Sequence, residues 1–141
     1  MANAAAGIGA TYVVEDREAG IGGYVTLAAA GVRAAELGLD ACVVADLPRY
    51  PLPALLIARL AVDERCRRRG LGRGLLLFAL DEALVARDRI GCVGALVDAK
   101  PVATGFYERY GFVQILPSVV DGSVDRMFLG IATIADALRK P

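Results

Sequence analysis

Apolar positions along this chain change their period between Val62 and Leu71. From Ala54 to Val62 (ALLIARLAV) they occupy both alternating sets, which predicts a central strand covered on both faces. From Gly72 to about Arg87 they recur at helical spacing, with Leu71, Leu75, Phe78 and Glu82 on one stripe and Leu76, Leu80 and Leu84 on the next, which predicts a helix lying on a sheet. Upstream, Thr11 to Val14 reads as a strand, Glu15 to Gly20 as a polar turn and Gly23 to Ala29 as the returning strand of a hairpin. Ala34 to Leu39 offers one or two helical turns, after which Pro48, Pro51 and Pro53 force an extended run into the central strand. Downstream, Gly91 ends the long helix and Cys92 to Val97 reads as a second core strand. Ala99 to Tyr110 reads as a short helix with Pro101 in its first turn and Gly111 just beyond its end. Phe112 to Leu116 is a returning strand, Val119 to Ser123 a turn, Arg126 to Leu129 a last strand and Thr133 to Leu138 a terminal helical turn. Residues 1 to 10 carry little pattern and are expected to be poorly ordered.

This order of elements predicts an α+β fold: one domain over residues 1–141, with a mixed, mostly antiparallel central sheet flanked by helices. A chain of 141 residues that is 56% hydrophobic can bury an adequate core without metals or disulfides. Its formal net charge of zero gives no whole-molecule field toward nucleic acid or membrane. Histidine is absent, which removes Ser-His and Cys-His catalysis and the His-containing zinc sites together. Cys42, Cys66 and Cys92 are odd in number and widely spaced, so they suggest neither a disulfide framework nor a thiolate metal site, and no metal is expected. No stretch reaches the roughly 20 apolar residues of a membrane span, and the first ten residues lack a basic leader, so the expected location is the cytoplasm.

The connection between strand and helix carries the chemistry. Arg67 to Gly74 sets Arg67, Arg68, Arg69 and Arg73 around Gly70, Gly72 and Gly74. A glycine-rich turn opening a helix leaves the first backbone N–H groups without internal partners and lets an anion approach them closely; the helix dipole favours the same charge. Arginine side chains add attraction for phosphate oxygens. The loop therefore predicts phosphate binding. It is not a Walker loop, because Gly72 is followed by Arg73 and Gly74 instead of Lys and a hydroxyl residue; nor is it the dinucleotide fingerprint, whose third glycine would fall at Leu75. Two neighbours need an account of their own. Arg59 interrupts the apolar strand, so it must join a structural ion pair or meet an anionic ligand. Cys66, beside Arg65 and Arg67, would be a nucleophile if its pKa were lowered, although only Glu64 and Asp63 stand near it as bases.

The spacing Arg67-x-x-Gly70-x-Gly72 resembles the coenzyme A pyrophosphate loop of the GCN5-related N-acetyltransferases. The segment Ala103-Thr104-Gly105-Phe106-Tyr107-Glu108-Arg109-Tyr110-Gly111-Phe112 resembles a second motif of that family, in the same order along the chain. With the pieces TYVVED, GYVTLAA, LIARLAVDERCRRRGLGRGLL and VDAK, the chain is most similar to the acetyltransferase toxins of bacterial toxin–antitoxin pairs, over roughly residues 10 to 138. The resemblance implies an acetyl-CoA-dependent N-acetyltransferase that modifies a primary amine, with the amino group of aminoacyl-tRNA as the toxin-like acceptor. It also implies an antitoxin protein as partner and leaves room for a homodimer. The backbone of Arg67, Arg68, Arg69, Gly70, Leu71, Gly72 and Arg73 would hold the pyrophosphate of acetyl-CoA, and the edge at Leu60, Ala61 and Val62 would pair with the pantetheine arm. Tyr107 falls on the catalytic tyrosine. Arg59 and Arg109 are candidates to meet the acceptor.

Acyl transfer to an amine needs the amine deprotonated, the thioester carbonyl polarised and the departing thiolate stabilised. A tyrosine of pKa about 10 facing a thiol near 8.5 would release its proton uphill by about 2 kcal/mol in water. Tyr107 therefore reads as hydrogen-bond donor and positioner, while a core aromatic is the other reading that its helical position allows. The chain departs from the toxins in having Arg67 where Gln is frequent, Lys100 where Asn is frequent, no evident carboxylate base, and about ten residues before its first strand. That short start supports a second expectation, a truncated module that binds coenzyme A or a protein partner without a competent acceptor site.

Overall fold

The computed structural model describes residues 6–115 and 124–139. Strands β1 (Ala10–Asp16) and β2 (Gly20–Val32) form the expected antiparallel hairpin, and β3 (Leu52–Val62) runs antiparallel to β2. The predicted strand at Cys92 begins later, as β4 (Gly94–Ala99), and is the one parallel neighbour of β3 among the described residues. A two-residue β5 (Val113–Gln114) and β6 (Asp125–Gly130) complete a six-stranded sheet in the order β1-β2-β3-β4-β6-β5. The sheet is thus mixed and mostly antiparallel, flanked by helices, as the hydrophobic pattern predicts. The helices are α1 (Ala41–Ala45), α2 (Leu71–Arg89), α3 (Thr104–Glu108) and α4 (Ile131–Arg139). None among the described residues is long and apolar enough to cross a membrane.

Helix α2 buries Leu75, Leu76, Ala79, Leu80 and Ala83 on one face of the sheet, against Val25 and Leu27 of β2, Ile57 of β3 and Val97 of β4. Each fully buried leucine there contributes about 1.5–3 kcal/mol relative to exposure. The helix stops where expected: the N–H groups of Ile90 and Gly91 both bond to the Ala86 carbonyl, and Gly91 takes φ 98°. The opposite face of the sheet carries a smaller core of Val32, Leu52, Ala54 and Leu96 with Ala34 and Ile115. The segment from Ala34 to Leu47 covers it, first as a 3₁₀ turn at Ala34–Leu37 and then as α1.

Three expectations need correction. Phe78 does not share the buried stripe of Leu75; it lies at the helix surface and stacks on Tyr12 of β1, with ring centroids 4.8 Å apart. The single helix expected from Ala99 to Tyr110 is a 3₁₀ turn at Pro101–Ala103 followed by the five residues of α3, and Gly111 closes it at φ 94°. Most consequentially, β3 is not covered on both faces along its whole length. Ala58 is an extra residue opposite β2: Leu27 faces Ile57 while Thr26 faces Arg59. Such a bulge shifts the alternation by one. Ile57, Leu60 and Val62 therefore all face α2, and Arg59 turns with Thr26 to the other side, where it is exposed. The expected turn at Val119 to Ser123 and residues 1–5 of the start expected to be poorly ordered fall outside the described residues, while Ala10 already belongs to β1.

Candidate active site

Strand β3 ends at Val62 and the chain passes through a 3₁₀ turn at Glu64–Cys66 before reaching α2. Asp63 caps that turn, its Oδ1 accepting the Arg65 N–H at 2.9 Å and the Arg65 Nε at 3.2 Å, and these bonds hold its carboxyl below the ordinary aspartate value. Beyond the turn, Arg68 takes φ 71° and Gly70 takes φ 78°, both left-handed. For Arg68 that geometry costs on the order of 1–2 kcal/mol, a strain that persists only where the surroundings impose it. Successive backbone N–H groups in such a run make a concavity suited to anions. The backbone N–H groups from Arg68 through Arg73 have no hydrogen-bond partner among the described residues, and the first helical bond of the region runs from Gly74 N to Gly70 O at 3.0 Å. Six neighbouring free donors at a helix start are suited to an anion.

Space at this site is set by glycine. A methyl group at Gly72 would stand 3.7 Å from Val62 Cγ2 and 3.7 Å from Phe106 Cε1, so the loop, the end of β3 and the start of α3 converge there. Gly70 has open space around it, and its left-handed φ is what excludes other residues.

The second half of β3 has one free edge. Its parallel ladder with β4 comprises Leu55–Ala95, Leu56–Leu96 and Ile57–Val97, whereas β4 continues against β6 to Ala99 and β3 continues against β2 to Val62. Beyond Ile57 and Val97 the two strands part. Leu60, Ala61 and Val62 are half-buried on the side of this opening, in line with the loop. On α3, Tyr107 is 6% exposed and packs edge-on against Phe106 at 5.1 Å and Phe112 at 5.4 Å. Its hydroxyl has no hydrogen-bond partner among the described residues, and burial raises its pKa above the usual 10.

The arginines separate by role. Arg69 Nη1 lies 2.9 Å from Asp16 Oδ1, whereas Arg67, Arg68 and Arg73 are exposed and make no ion pair among the described residues. Arg59 is exposed too and makes no such pair, so its role as a structural ion pair is not observed. Arg109 is exposed at the end of α3, and no described contact joins it to Arg59; the two are not gathered into one site. Cys66 is buried, and burial, with Asp16 beside it, raises its thiol pKa. The lowered pKa that a nucleophilic Cys66 would need is therefore not found, and the thiol stands as a buried free cysteine. Two polar features were missed from sequence. Asp16 ties the hairpin to the loop, and Asp98 on β4 grips Arg126 on β6 bidentately at 2.7 and 2.9 Å, raising the arginine's pKa. An aspartate before a turn was the available signal for the first; the second depends on strand pairing across 28 residues.

The strands part beside a glycine-rich helix start, and a tyrosine stands on the short helix that follows. Residues 7–114 match the acetyltransferase (GNAT) domain, and the chain belongs to that family. A curated relative, a tRNA-acetylating toxin of Mycobacterium tuberculosis (strain ATCC 25618 / H37Rv), is 41% identical over 69 residues, which is 48% of this chain and 41% of the toxin; the match thus spans about two fifths of that relative. Among solved structures, a bacterial toxin superposes with a TM-score of 0.86 at 24% identity, covering 99% of this chain and 77% of its own. AtaT complexed with acetyl-methionyl-tRNAfMet gives 0.81 at 22% identity, covering 97% and 79%. AtaTR bound with AcCoA gives 0.76 at 22%, covering 97% and 78%. These likenesses establish the shared fold.

Proposed function

We propose that this chain transfers the acetyl group of acetyl-CoA to a primary amine in a ternary complex, and that the amine is the amino group of an aminoacyl-tRNA. The observation that carries the reading is the run of free N–H groups from Arg68 to Arg73 beside the parted strands. The donor set fits coenzyme A: the run suits a pyrophosphate, Gly72 leaves the approach open, and the bare edge at Leu60, Ala61 and Val62 suits the amides of a pantetheine arm. When bound, acetyl-CoA supplies a thioester carbonyl activated toward amines. The chain's own residues then do the rest. The loop backbone of Arg67 to Arg73 binds the anion, the β3 edge orients the arm, and Tyr107 holds a proton on its hydroxyl at neutral pH, as an ordinary phenol does, with burial raising its pKa further. That hydroxyl donates toward the departing sulfur, while the amine's proton leaves to solvent.

The acceptor assignment draws on the tRNA-acetylating relative and on the tRNA complex of AtaT. Arg59, on the face away from α2, and Arg109 are the side chains we assign to the acceptor's phosphates. An antitoxin protein as partner and reaction in the cytoplasm follow from the same reading. The test is mass spectrometry of aminoacyl-tRNA after incubation with the protein and acetyl-CoA: the expected product carries one added acetyl group on the aminoacyl nitrogen. Coenzyme A binding without transfer to any aminoacyl-tRNA or small amine would reduce the assignment to a binding module.

A further inference from the structure

The strained phosphate loop is braced by the hairpin on its other side. Asp16 divides its carboxylate between two jobs: Oδ2 accepts the N–H groups of Glu18 at 3.0 Å and Ala19 at 2.9 Å within the β1–β2 turn, and Oδ1 faces Arg69 Nη1 at 2.9 Å. Arg69 sits between the two left-handed residues Arg68 and Gly70, so its side chain is attached at the centre of the strained run. Two further bonds lock the same surfaces together. Asp63 N donates to the Gly22 carbonyl at 2.8 Å, and Arg65 Nη2 reaches the Ala19 carbonyl at 3.5 Å. Gly22 makes the close approach possible: a methyl group there would lie 3.3 Å from Cys66 Sγ and 3.2 Å from Leu71 Cδ1.

We propose that Asp16 is a positioning residue for coenzyme A: through Arg69 it keeps the free N–H groups of the loop in their left-handed, ligand-ready geometry without touching the ligand. The proposal rests on the reading of this loop as the pyrophosphate site. Arg69 is thereby a brace and not a phosphate ligand, while Arg67, Arg68 and Arg73 keep their side chains available. Removing the brace lets Arg68 relax to an ordinary conformation, so that only a fraction of molecules holds the competent loop, and apparent affinity falls in proportion to that fraction. An exposed ion pair adds little to global stability, so the effect belongs to binding and not to melting.

The test uses D16N, which keeps an oxygen to accept the two turn N–H groups while losing the charge that holds Arg69, together with R69Q and the double variant. Titration calorimetry with acetyl-CoA on the full chain should show each single variant binding about five- to tenfold more weakly, corresponding to a competent fraction of about 0.1 to 0.2. The double variant should be no weaker than the weaker single, because both remove one contact. D16N should keep its turnover at saturating acetyl-CoA, and its melting temperature at neutral pH should fall only by the small share that the exposed Asp16 charge contributes. Binding by D16N within twofold of the native chain, strictly additive losses in the double variant, or a lowered melting temperature at unchanged affinity would each overturn the brace. A native chain that takes up no acetyl-CoA would remove the loop reading and the brace with it, whereas tight native binding matched by D16N removes the brace alone.

Discussion

Ile57 and Val97 are the last facing pair of the parallel ladder between β3 and β4, and the β3 edge assigned to acetyl-CoA begins three residues beyond Ile57. Up to that pair, the strands are fastened and their side chains serve the core. Past it, β3 leans on β2 and β4 on β6, and the backbone exposed between them can pair with something that is not protein.

Tyr107→Phe tests the chemistry. The tyrosine hydroxyl makes no hydrogen bond to the described protein, so its loss should leave melting temperature nearly unchanged. Turnover of an identified amine acceptor should fall by about 100-fold or more, the usual range for a positioned proton donor. Acetyl-CoA affinity should stay within about twofold. Steady-state kinetics beside calorimetry separate the two quantities, and a variant with native turnover would remove Tyr107 from the mechanism.

Three glycines in one loop should give three different outcomes. Gly70→Val forces a β-branched residue to φ 78° and should weaken acetyl-CoA binding about tenfold through the 1–2 kcal/mol of left-handed strain. Gly72→Leu should weaken it as well, since the larger side chain must grow from a position already in contact range of Val62 and Phe106. Gly74 has nothing within 4 Å and ordinary helical φ, so Gly74→Ala should preserve binding and raise stability by about 0.5–1 kcal/mol in a denaturant titration.

Stability should fall at both ends of the pH scale for identifiable reasons. Asp16 and Asp63 have folded pKa values below the ordinary aspartate value, Asp16 through the Ala19 and Glu18 N–H groups with Arg69, and Asp63 through Arg65. Their contribution is therefore present above the unfolded pKa and is lost as pH drops below it through the depressed folded values. Tyr107 has the opposite sign: its folded pKa lies above the ordinary 10 because of burial, so stability is intact below that value and declines as pH rises through it. Thermal melts should show both limbs, and Tyr107→Phe should weaken the alkaline one while leaving the acid limb alone.

Gly94 tests how tightly β4 and β6 are packed. A methyl group there would collide with the Leu129 carbonyl oxygen and stand 2.7 Å from Phe128 Cε1. Since the first obstacle is backbone, Gly94→Ala should cost about 1–3 kcal/mol or more by overpacking, visible as a lower urea midpoint. Asp98→Asn, at the exposed position of β4, should cost only about 1 kcal/mol because the pair with Arg126 is partly exposed.

The sequence made β3, the loop and α2 readable because one strong apolar strand, a glycine-and-arginine break and a helical period follow one another without interruption. The site's core was readable for the same reason: free N–H donors at a glycine-opened helix start are a local property. The double coverage of β3 was over-read because apolar residues fall on both alternating sets, whereas a bulge produces the same letters by changing the phase halfway. Helix α1 was missed because its five residues are nearly all exposed and carry no period. Asp16 was out of reach for another reason: its partner lies 53 residues away, and an aspartate before a turn is ordinary unless the opposite surface is known.

The extra residue at Ala58 makes the pairing of β3 matter more than its letters. Replacing Ala58, exposed and unpaired in phase, leaves every other side chain on its present face. Deleting it would leave Ile57 and Arg59 adjacent in regular alternation, with Arg59 still beside Thr26 and Leu60 and Val62 still toward Leu75 and Val25; pairing Ala58 in register with Thr26 is what would carry the guanidinium of Arg59 into that layer. A relative that lacks this one residue therefore keeps the same surfaces on a straighter strand, whereas one that keeps it and pairs it in register shows the cleft a charge in place of a hydrocarbon.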